Sequence, residues 1–270
     1  MEGARLDISP GLTIRKLSVD ELEAWLNEST GLPLPMMPGL SQIDLPSLDC
    51  AIEATYDKGR HESWGANRDV ADQVSDLVTA VRLVTDKNVH IGFTERRSDS
   101  ILHPGGGRSS SLRPRLLGAN AELTPSHQQE LAAVWTRIQE LPGDSAMRLA
   151  LRRWDIVSER FSDDDALIDY WIAFEALFAP DSSQEVRYRA SFRIAAFVGA
   201  SPEEREQIYK DLRDSYDLRS RIVHGGTPSA EQKSLLVGKT RSHLRTALMK
   251  ILLSDEHFDP RSIEIQLLRQ

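Results

Sequence analysis

Residues 216–226 read YDLRSRIVHGG and hold the two side chains best suited to acid–base chemistry on a phosphate ester. Arg219 is permanently charged and can neutralise phosphoryl oxygens. Histidine changes charge near neutral pH, so His224 can take up or release a proton. Together they fit cleavage of RNA, in which a ribose 2′-hydroxyl attacks the neighbouring phosphodiester. The alternative interpretation is a charged helix that ends in a glycine cap.

The helix predicted over 202–224 constrains how this arginine and histidine can meet. Arg219 is expected on the packed side of the helix, and His224 lies about 140° further around the axis, on the polar side. Three arrangements would bring them together: Arg219 reaches around the helix, the last turn distorts at the glycines, or two chains combine their motifs across a two-fold axis. Arg221, on the same face as His224, is a rival for the role of Arg219. The predicted packed stripe comprises Ile208, Leu212, Ser215, Arg219 and Ile222, with Tyr209, Tyr216 and Val223 beside it.

Glu175 interrupts the apolar stripe of a second predicted helix, which covers 163–178. A carboxylate on a packed stripe requires a cationic partner. We expect that partner to be Arg219 or an arginine of the segment 188–193. Two roles remain open for such a pair: it holds a phosphate-binding arginine in place, or it is a structural ion pair inside the bundle. The other members of the stripe are Ile168, Trp171, Ile172 and Phe178.

Helix-start and helix-stop signals predict an all-α antiparallel helical bundle over residues 119–270. We expect about five or six helices between Thr124 and Asp255, joined by short links. Gly225 and Gly226 supply the left-handed end of one of them. The predicted start signals lie at 124–125, 162–165, 201–204 and 229–232.

The first 118 residues predict a small α+β domain that ends in a loop rich in glycine, serine and proline. We interpret that loop, at 102–114, as a surface loop, and a phosphate-cradling or RNA-contacting loop is the alternative. A capping box at Ser18 and Glu21 predicts a helix that ends near Gly31. The other elements predicted here are strands over 11–17, 49–56 and 89–94 and a helix over 68–85.

Composition narrows the class of protein. The net charge of −8 argues against a protein that binds nucleic acid over its whole surface. The arginines between residues 184 and 226 nevertheless provide a local basic patch. Cys50 is the only cysteine, which favours the reducing cytoplasm. Neither a secretory signal nor an apolar run of about 20 residues is found, so no membrane association is expected. The histidines lack paired ligand spacing, so we expect no metal and no cofactor.

Three longer motifs, in this order, resemble the HEPN superfamily, and within it the Apea-like HEPN domains. They are DALIDYWIAFEALF at 165–178, YRASFRIA at 188–195 and YDLRSRIVHG at 216–225. The similarity covers roughly residues 120–255, and the preceding region is much less distinctive. The resemblance implies an HEPN-like all-α bundle that forms a homodimer.

For active members, the resemblance further implies a metal-independent endoribonuclease whose motifs meet at the dimer cleft. It implies RNA as the partner, with tRNA as one candidate, and a role as a toxin or antiviral-defence effector. Arg219 and His224 match the catalytic pair. Glu175, Arg189 and Arg193 match positions that support the site, and Ser220 and Arg221 complete the predicted phosphate-binding set.

Two residues depart from the family pattern. Ser220 follows the motif arginine where many active members have asparagine. Gly226 stands two positions beyond His224, where a variant of the family carries a tyrosine that a partner nucleotidyltransferase modifies. That variant is therefore not expected here. The alternative to an endoribonuclease is a non-catalytic dimer that binds RNA, a nucleotide or a partner protein.

Overall fold

The structure of the chain is a computed structural model. It describes residues 5–18, 20–21, 50–55, 65–87, 89, 93–96, 107–110, 122–158, 162–180 and 185–267. The described part is mostly helical, with eight α-helices and five short strands. The chain divides into two compact units, Met1–Trp135 and Thr136–Gln270. The boundary predicted from the sequence, at 118/119, lies outside the described residues.

The N-terminal unit contains a three-stranded antiparallel sheet, in the order β1-β2-β3, and a separate antiparallel pair of strands. Leu6 lies opposite Ile14, and Ile14 lies opposite Ile52, so apolar side chains face each other across the strands. Gly11 joins β1 to β2 with φ +81°, a backbone conformation that favours glycine. The elements are β1 (Arg5–Ser9), β2 (Leu12–Lys16), β3 (Cys50–Ala54), α1 (Gly65–Thr85), β4 (Phe93–Arg96) and β5 (Gly107–Ser110).

Most predictions for this unit are confirmed. Strands β2 and β3 and helix α1 fall within a few residues of the predicted segments, and β4 overlaps the third predicted strand at its end. Ser18 and Glu21 form the predicted reciprocal cap, because each backbone N–H donates to the other side chain. The rest of that predicted helix lies outside the described residues. One prediction is wrong in part: Gly107–Ser110, assigned to a loop, pairs with β4 as strand β5.

Helix α4 lies at the centre of the helical unit, where it packs against α3, α5, α6 and α7. Its Trp171, Phe174 and Phe178 are fully buried. Phe178 also meets Phe197 and Phe258, with ring centroids 5.8 and 5.3 Å away. The helices from α2 onward are α2 (Gln128–Glu140), α3 (Ala146–Ser158), α4 (Asp163–Phe178), α5 (Val186–Val198), α6 (Pro202–Val223), α7 (Ala230–Leu253) and α8 (Pro260–Leu267). Six of them, α2 to α7, lie between Thr124 and Asp255, as predicted.

The helix starts follow the predicted capping residues. The hydroxyls of Ser201 and Ser229 accept hydrogen bonds from the backbone N–H three residues on, at 3.2 and 3.3 Å. Ser162 caps α4 differently from the prediction, because its hydroxyl accepts a hydrogen bond from the N–H of Asp164 rather than from that of Asp165. The link of three residues at 199–201 turns α6 back along α5. The helix assignment is therefore largely a local property of the sequence.

Candidate functional site

Helix α6 ends at His224 in a backbone arrangement that the two following glycines make possible. Gly225 has φ +82° and donates its N–H to Ile222 O at 2.9 Å. Gly226 donates its N–H to Arg221 O at 2.8 Å, so both hydrogen bonds of a Schellman motif are present. His224 is the residue just before the left-handed turn, and its side chain is exposed. The imidazole is thus presented to solvent from a backbone whose hydrogen bonds are satisfied.

Arg219 lies at the edge of the packed side of α6, with 21% of its side chain exposed. Its Nη1 is 3.6 Å from Glu175 Oε1 on α4, an ion-pair distance that exceeds a good hydrogen bond. Its guanidinium carbon lies 5.4 Å from the ring centroid of Tyr216. Its Nε–H is buried and has no hydrogen-bond partner among the described residues. Glu175 and Tyr216 therefore hold the Arg219 side chain, while its Nε–H has no acceptor among the described residues.

The support beneath Arg219 continues into the core through aromatic contacts. Trp171 of α4 meets Tyr216 edge-on, with ring centroids 4.8 Å apart. The indole N–H of Trp171 donates to Ser215 Oγ at 3.1 Å, which fixes the orientation of the indole. Because Trp171 and Ser215 are fully buried, the Tyr216 ring that Arg219 covers rests on a rigid base. Packing and charge thus restrain the same arginine.

Of the partners predicted for Glu175, the structure shows Arg219. The predicted stripes need correction, however. On α6 Leu218, which is outside the predicted stripe, is as fully buried as Leu212 and Ser215, whereas Arg219 is half-buried and Val223, expected beside the stripe, is 56% exposed. On α4 Glu175 is only half-buried, with 30% of its side chain exposed. Ile168 and Ile172 are half-buried too. Four helices enclose α4, and its most deeply buried side, which carries Leu167, Trp171 and Phe174, only partly overlaps the predicted stripe.

The two arginines predicted to support the site from α5 differ from each other. Arg189 is exposed and pairs with no described carboxylate. Arg193 is buried, and its Nη1 donates to Phe178 O while its Nε donates to Glu264 Oε1, both at 2.8 Å. Its guanidinium thus joins the end of α4 to helix α8. This position does not support the predicted phosphate-binding role, and it gives Arg193 a structural one.

Ser220 and Arg221 follow Arg219 on the outward side of α6. Ser220 is half-buried and Arg221 is exposed, so Arg221 remains a geometric rival of Arg219. Asp217, one turn before Arg221, forms an ion pair with Arg187 of α5. This bridge between α5 and α6 was not predicted from the sequence, because it depends on how the two helices pack.

A second polar cluster, also missed, joins α6 to α7. The buried Asp211 carboxylate accepts from Gln207 at 2.9 Å and from Lys239 at 2.7 Å, and His243 Nε2 lies 3.4 Å away. Burial raises the pKa of Asp211, but the hydrogen bonds from Lys239, Gln207 and His243 outweigh it and hold that pKa below its usual value. Burial also lowers the pKa of His243, and Asp211 offsets only part of that effect. The cluster therefore favours a neutral His243 beside a charged Asp211.

Within the described residues, no group of three or more His, Cys, Asp and Glu side chains has the arrangement of a metal site. Every helix in the same part of the chain is too short or too polar to cross a lipid bilayer. Comparison of the chain with protein-family models, with curated proteins and with solved structures finds no match. The resemblance to HEPN domains therefore stays a prediction from the order of the motifs.

Proposed function

We propose that the chain is a metal-independent endoribonuclease of HEPN type in which Arg219 and His224 carry the chemistry. The observation that supports the proposal is the restraint on Arg219, whose ion pair with Glu175 and contact with Tyr216 leave a buried Nε–H that has no hydrogen-bond partner among the described residues. With 21% of its side chain exposed, Arg219 can still donate to a phosphate oxygen that binds from the solvent side. An exposed His224 follows five residues later, at the end of the same helix.

Each residue has a separate task in the proposed reaction. His224 takes the proton from a ribose 2′-hydroxyl, which attacks the adjacent phosphorus in line with the departing 5′-oxygen. Arg219 neutralises the charge that develops on the non-bridging oxygens. A protonated His224, from the same or a second subunit, gives a proton to the leaving oxygen. The products are a 2′,3′-cyclic phosphate and a free 5′-hydroxyl, so atoms and charge balance without a further reactant.

The separation of the two residues supports a site built from two chains. Along a regular helix they lie about 140° and about 7.5 Å apart, so one subunit does not easily direct both at one phosphorus. A two-fold axis brings His224 of one copy towards Arg219 of the other. Homodimerisation is therefore part of the proposal, as is a biological role as a toxin or antiviral-defence effector. Mixing His224→Ala with Arg219→Ala protein tests it, because heterodimers would recover one intact composite site.

The experiment that tests the activity is incubation of the purified chain with total tRNA in EDTA. We expect cleavage with cyclic phosphate ends, no cleavage of DNA, and a loss of roughly 10²- to 10⁴-fold in His224→Ala. His257→Ala is the matched control, because His257 is also an exposed histidine of the helical unit. Comparing Arg219→Ala with Arg221→Ala at equal folded yield identifies the working arginine. If His224→Ala cleaves like the parent chain, the proposal is wrong.

A second candidate function is a non-catalytic dimer that binds RNA, a nucleotide or a partner protein. The observation that favours it is Ser220, which stands where many active HEPN members have asparagine. Induced expression distinguishes the two. An active ribonuclease arrests growth and His224→Ala relieves the arrest, whereas a binding module gives the same growth with and without the substitution.

A further inference from the structure

The outer surface of α5 and α6 carries an exposed aromatic group that the proposed chemistry does not use. Tyr188 is 54% exposed, although a tyrosine ring in a monomer normally buries more of its surface. Its ring stacks on Phe192, one turn along α5, at 6.0 Å and an interplanar angle of 15°. Tyr209 of α6 meets the Tyr188 ring edge-on at 6.4 Å. We call Tyr188, Phe192 and Tyr209 the aromatic platform.

Positive charge surrounds the aromatic platform. The guanidinium of Arg213 lies 5.7 Å from the Tyr209 ring centroid, and Arg189 follows Tyr188 on α5. Neither arginine pairs with a carboxylate among the described residues, and both are exposed. The nearby acid Asp217 is already paired, with Arg187. Arg189 and Arg213 are therefore two exposed cations near the rings that no described carboxylate neutralises, and a phosphate backbone is a ligand that such cations bind.

The aromatic platform lies on the same side of α6 as the proposed general base. At about 100° per residue, Tyr209, Arg213, Ser220 and His224 fall within about 60° of one another around the axis. Tyr209 and His224 are roughly 22 Å apart along the helix at 1.5 Å per residue. A single strand could therefore follow one side of the helix from the rings to the histidine. A rigid duplex could not lay a base against Tyr188, because its bases are stacked inside the helix.

We propose that the aromatic platform stacks an unpaired base of the RNA, so that the substrate is single-stranded or contains an unpaired loop near the cleavage site. This inference rests on the proposed function, because it names the substrate of the same site. The Tyr188 ring supplies the stacking surface, Phe192 and Tyr209 hold that ring in place, and Arg189 and Arg213 contact the flanking phosphates. Stacking of one base on an aromatic side chain corresponds to roughly 5- to 150-fold in affinity.

The test is a binding titration with a fluorescently labelled 2′-O-methyl oligonucleotide, which lacks the nucleophile and cannot be cleaved. We expect Tyr188→Ala and Tyr188→Leu to weaken binding roughly 5- to 150-fold and Tyr188→Trp to retain it, because only tryptophan keeps an aromatic face. The matched control is Leu235→Ala on α7, since Leu235 is 60% exposed and lies outside the aromatic platform. Arg213→Gln should reduce the slope of log affinity against log salt by about one.

The outcomes separate this inference from the proposed function. If Tyr188→Ala and Tyr188→Leu bind the oligonucleotide as tightly as the parent chain, the inference is wrong, even if the chain cleaves RNA. Dependence on Tyr188 in a chain that cleaves nothing would support the platform and reject the ribonuclease. Equal affinity for a single strand and for the matched duplex would also overturn the inference. The inference is also wrong if sedimentation shows that Tyr188→Ala dissociates a dimer while the titration shows an unchanged RNA affinity. The rings would then form a contact between subunits.

Discussion

The ion pair between Arg219 and Glu175 makes a prediction that does not depend on any substrate. Replacing Glu175 with glutamine removes the charge and keeps the shape, and Arg219→Gln removes the charge on the other side with a shorter side chain. At 3.6 Å and an effective dielectric constant of about 20, the gross attraction is roughly 5 kcal/mol. Desolvation of both groups and their partial exposure, 21% and 30%, cancel most of it. We expect a coupling free energy of about 1 kcal/mol.

The assay is a double-mutant cycle in urea, with the parent chain, both single variants and the double variant. The free energy of unfolding should be lower in each single variant, and the double variant should lose less than the sum of the two. The pair formed by Glu206 and Lys210 is the matched control, because both side chains are largely exposed and their coupling should be smaller. A coupling for Arg219 and Glu175 below about 0.3 kcal/mol would refute the claim that Glu175 restrains this arginine.

The same substitution has a kinetic consequence if the proposed function is right. Without its carboxylate partner, Arg219 loses the contact that positions it over Tyr216, and small displacements of a catalytic group are costly. We expect Glu175→Gln to lower kcat roughly 10- to 100-fold. Substrate affinity at the aromatic platform should remain unchanged, because Tyr188 and Arg213 are separate from the ion pair. A fall in affinity without a change in kcat would contradict a positioning role for Glu175.

Three further predictions concern stability. Because the pKa of His243 is lowered in the fold, stabilisation is lost as pH falls from about 6.5, and the lowered pKa of Asp211 extends the loss below about 3.8. His243→Gln should flatten the melting temperature between pH 7 and 5, whereas His257→Gln should not. Gly225→Ala should cost about 1 kcal/mol in urea unfolding, because Gly225 has φ +82°. Gly238→Ala should instead stabilise by up to about 1 kcal/mol, since nothing lies within 4 Å of a Cβ on this helical residue.

Local signals explain why so much of the helical unit was predictable. Ser201 and Ser229 cap their helices through their own near neighbours, and Gly225 ends α6 through bonds to the preceding turn. These interactions depend on a few adjacent residues, so a single sequence contains them. Glu175 was also informative, since a carboxylate on an apolar stripe has few acceptable environments. The sequence alone limits its partner to Arg219 or an arginine of the segment 188–193.

The remaining features depend on contacts between distant parts of the chain. Helical periodicity does not distinguish Leu218 from its neighbour Arg219 as the more deeply buried position, because the packing of α4, α5 and α7 determines which sides of α6 are covered. Arg193 matched a motif position, but its role follows from Glu264, 71 residues away. Strand β5 has a glycine- and serine-rich sequence and exists because β4 pairs with it. The cluster around Asp211 likewise requires the register of α6 against α7.

The attachment of Arg193 to helix α8 has a consequence for how the chain may be shortened. Removing the residues from Phe258 onward would take away Glu264 and leave the buried Arg193 guanidinium without this counter-ion. It would also uncover one side of Phe178, whose ring contacts Phe258. Helix α8 and the segment before it thus cover the C-terminal end of α4, and removing them would affect the buried Phe178 and Arg193.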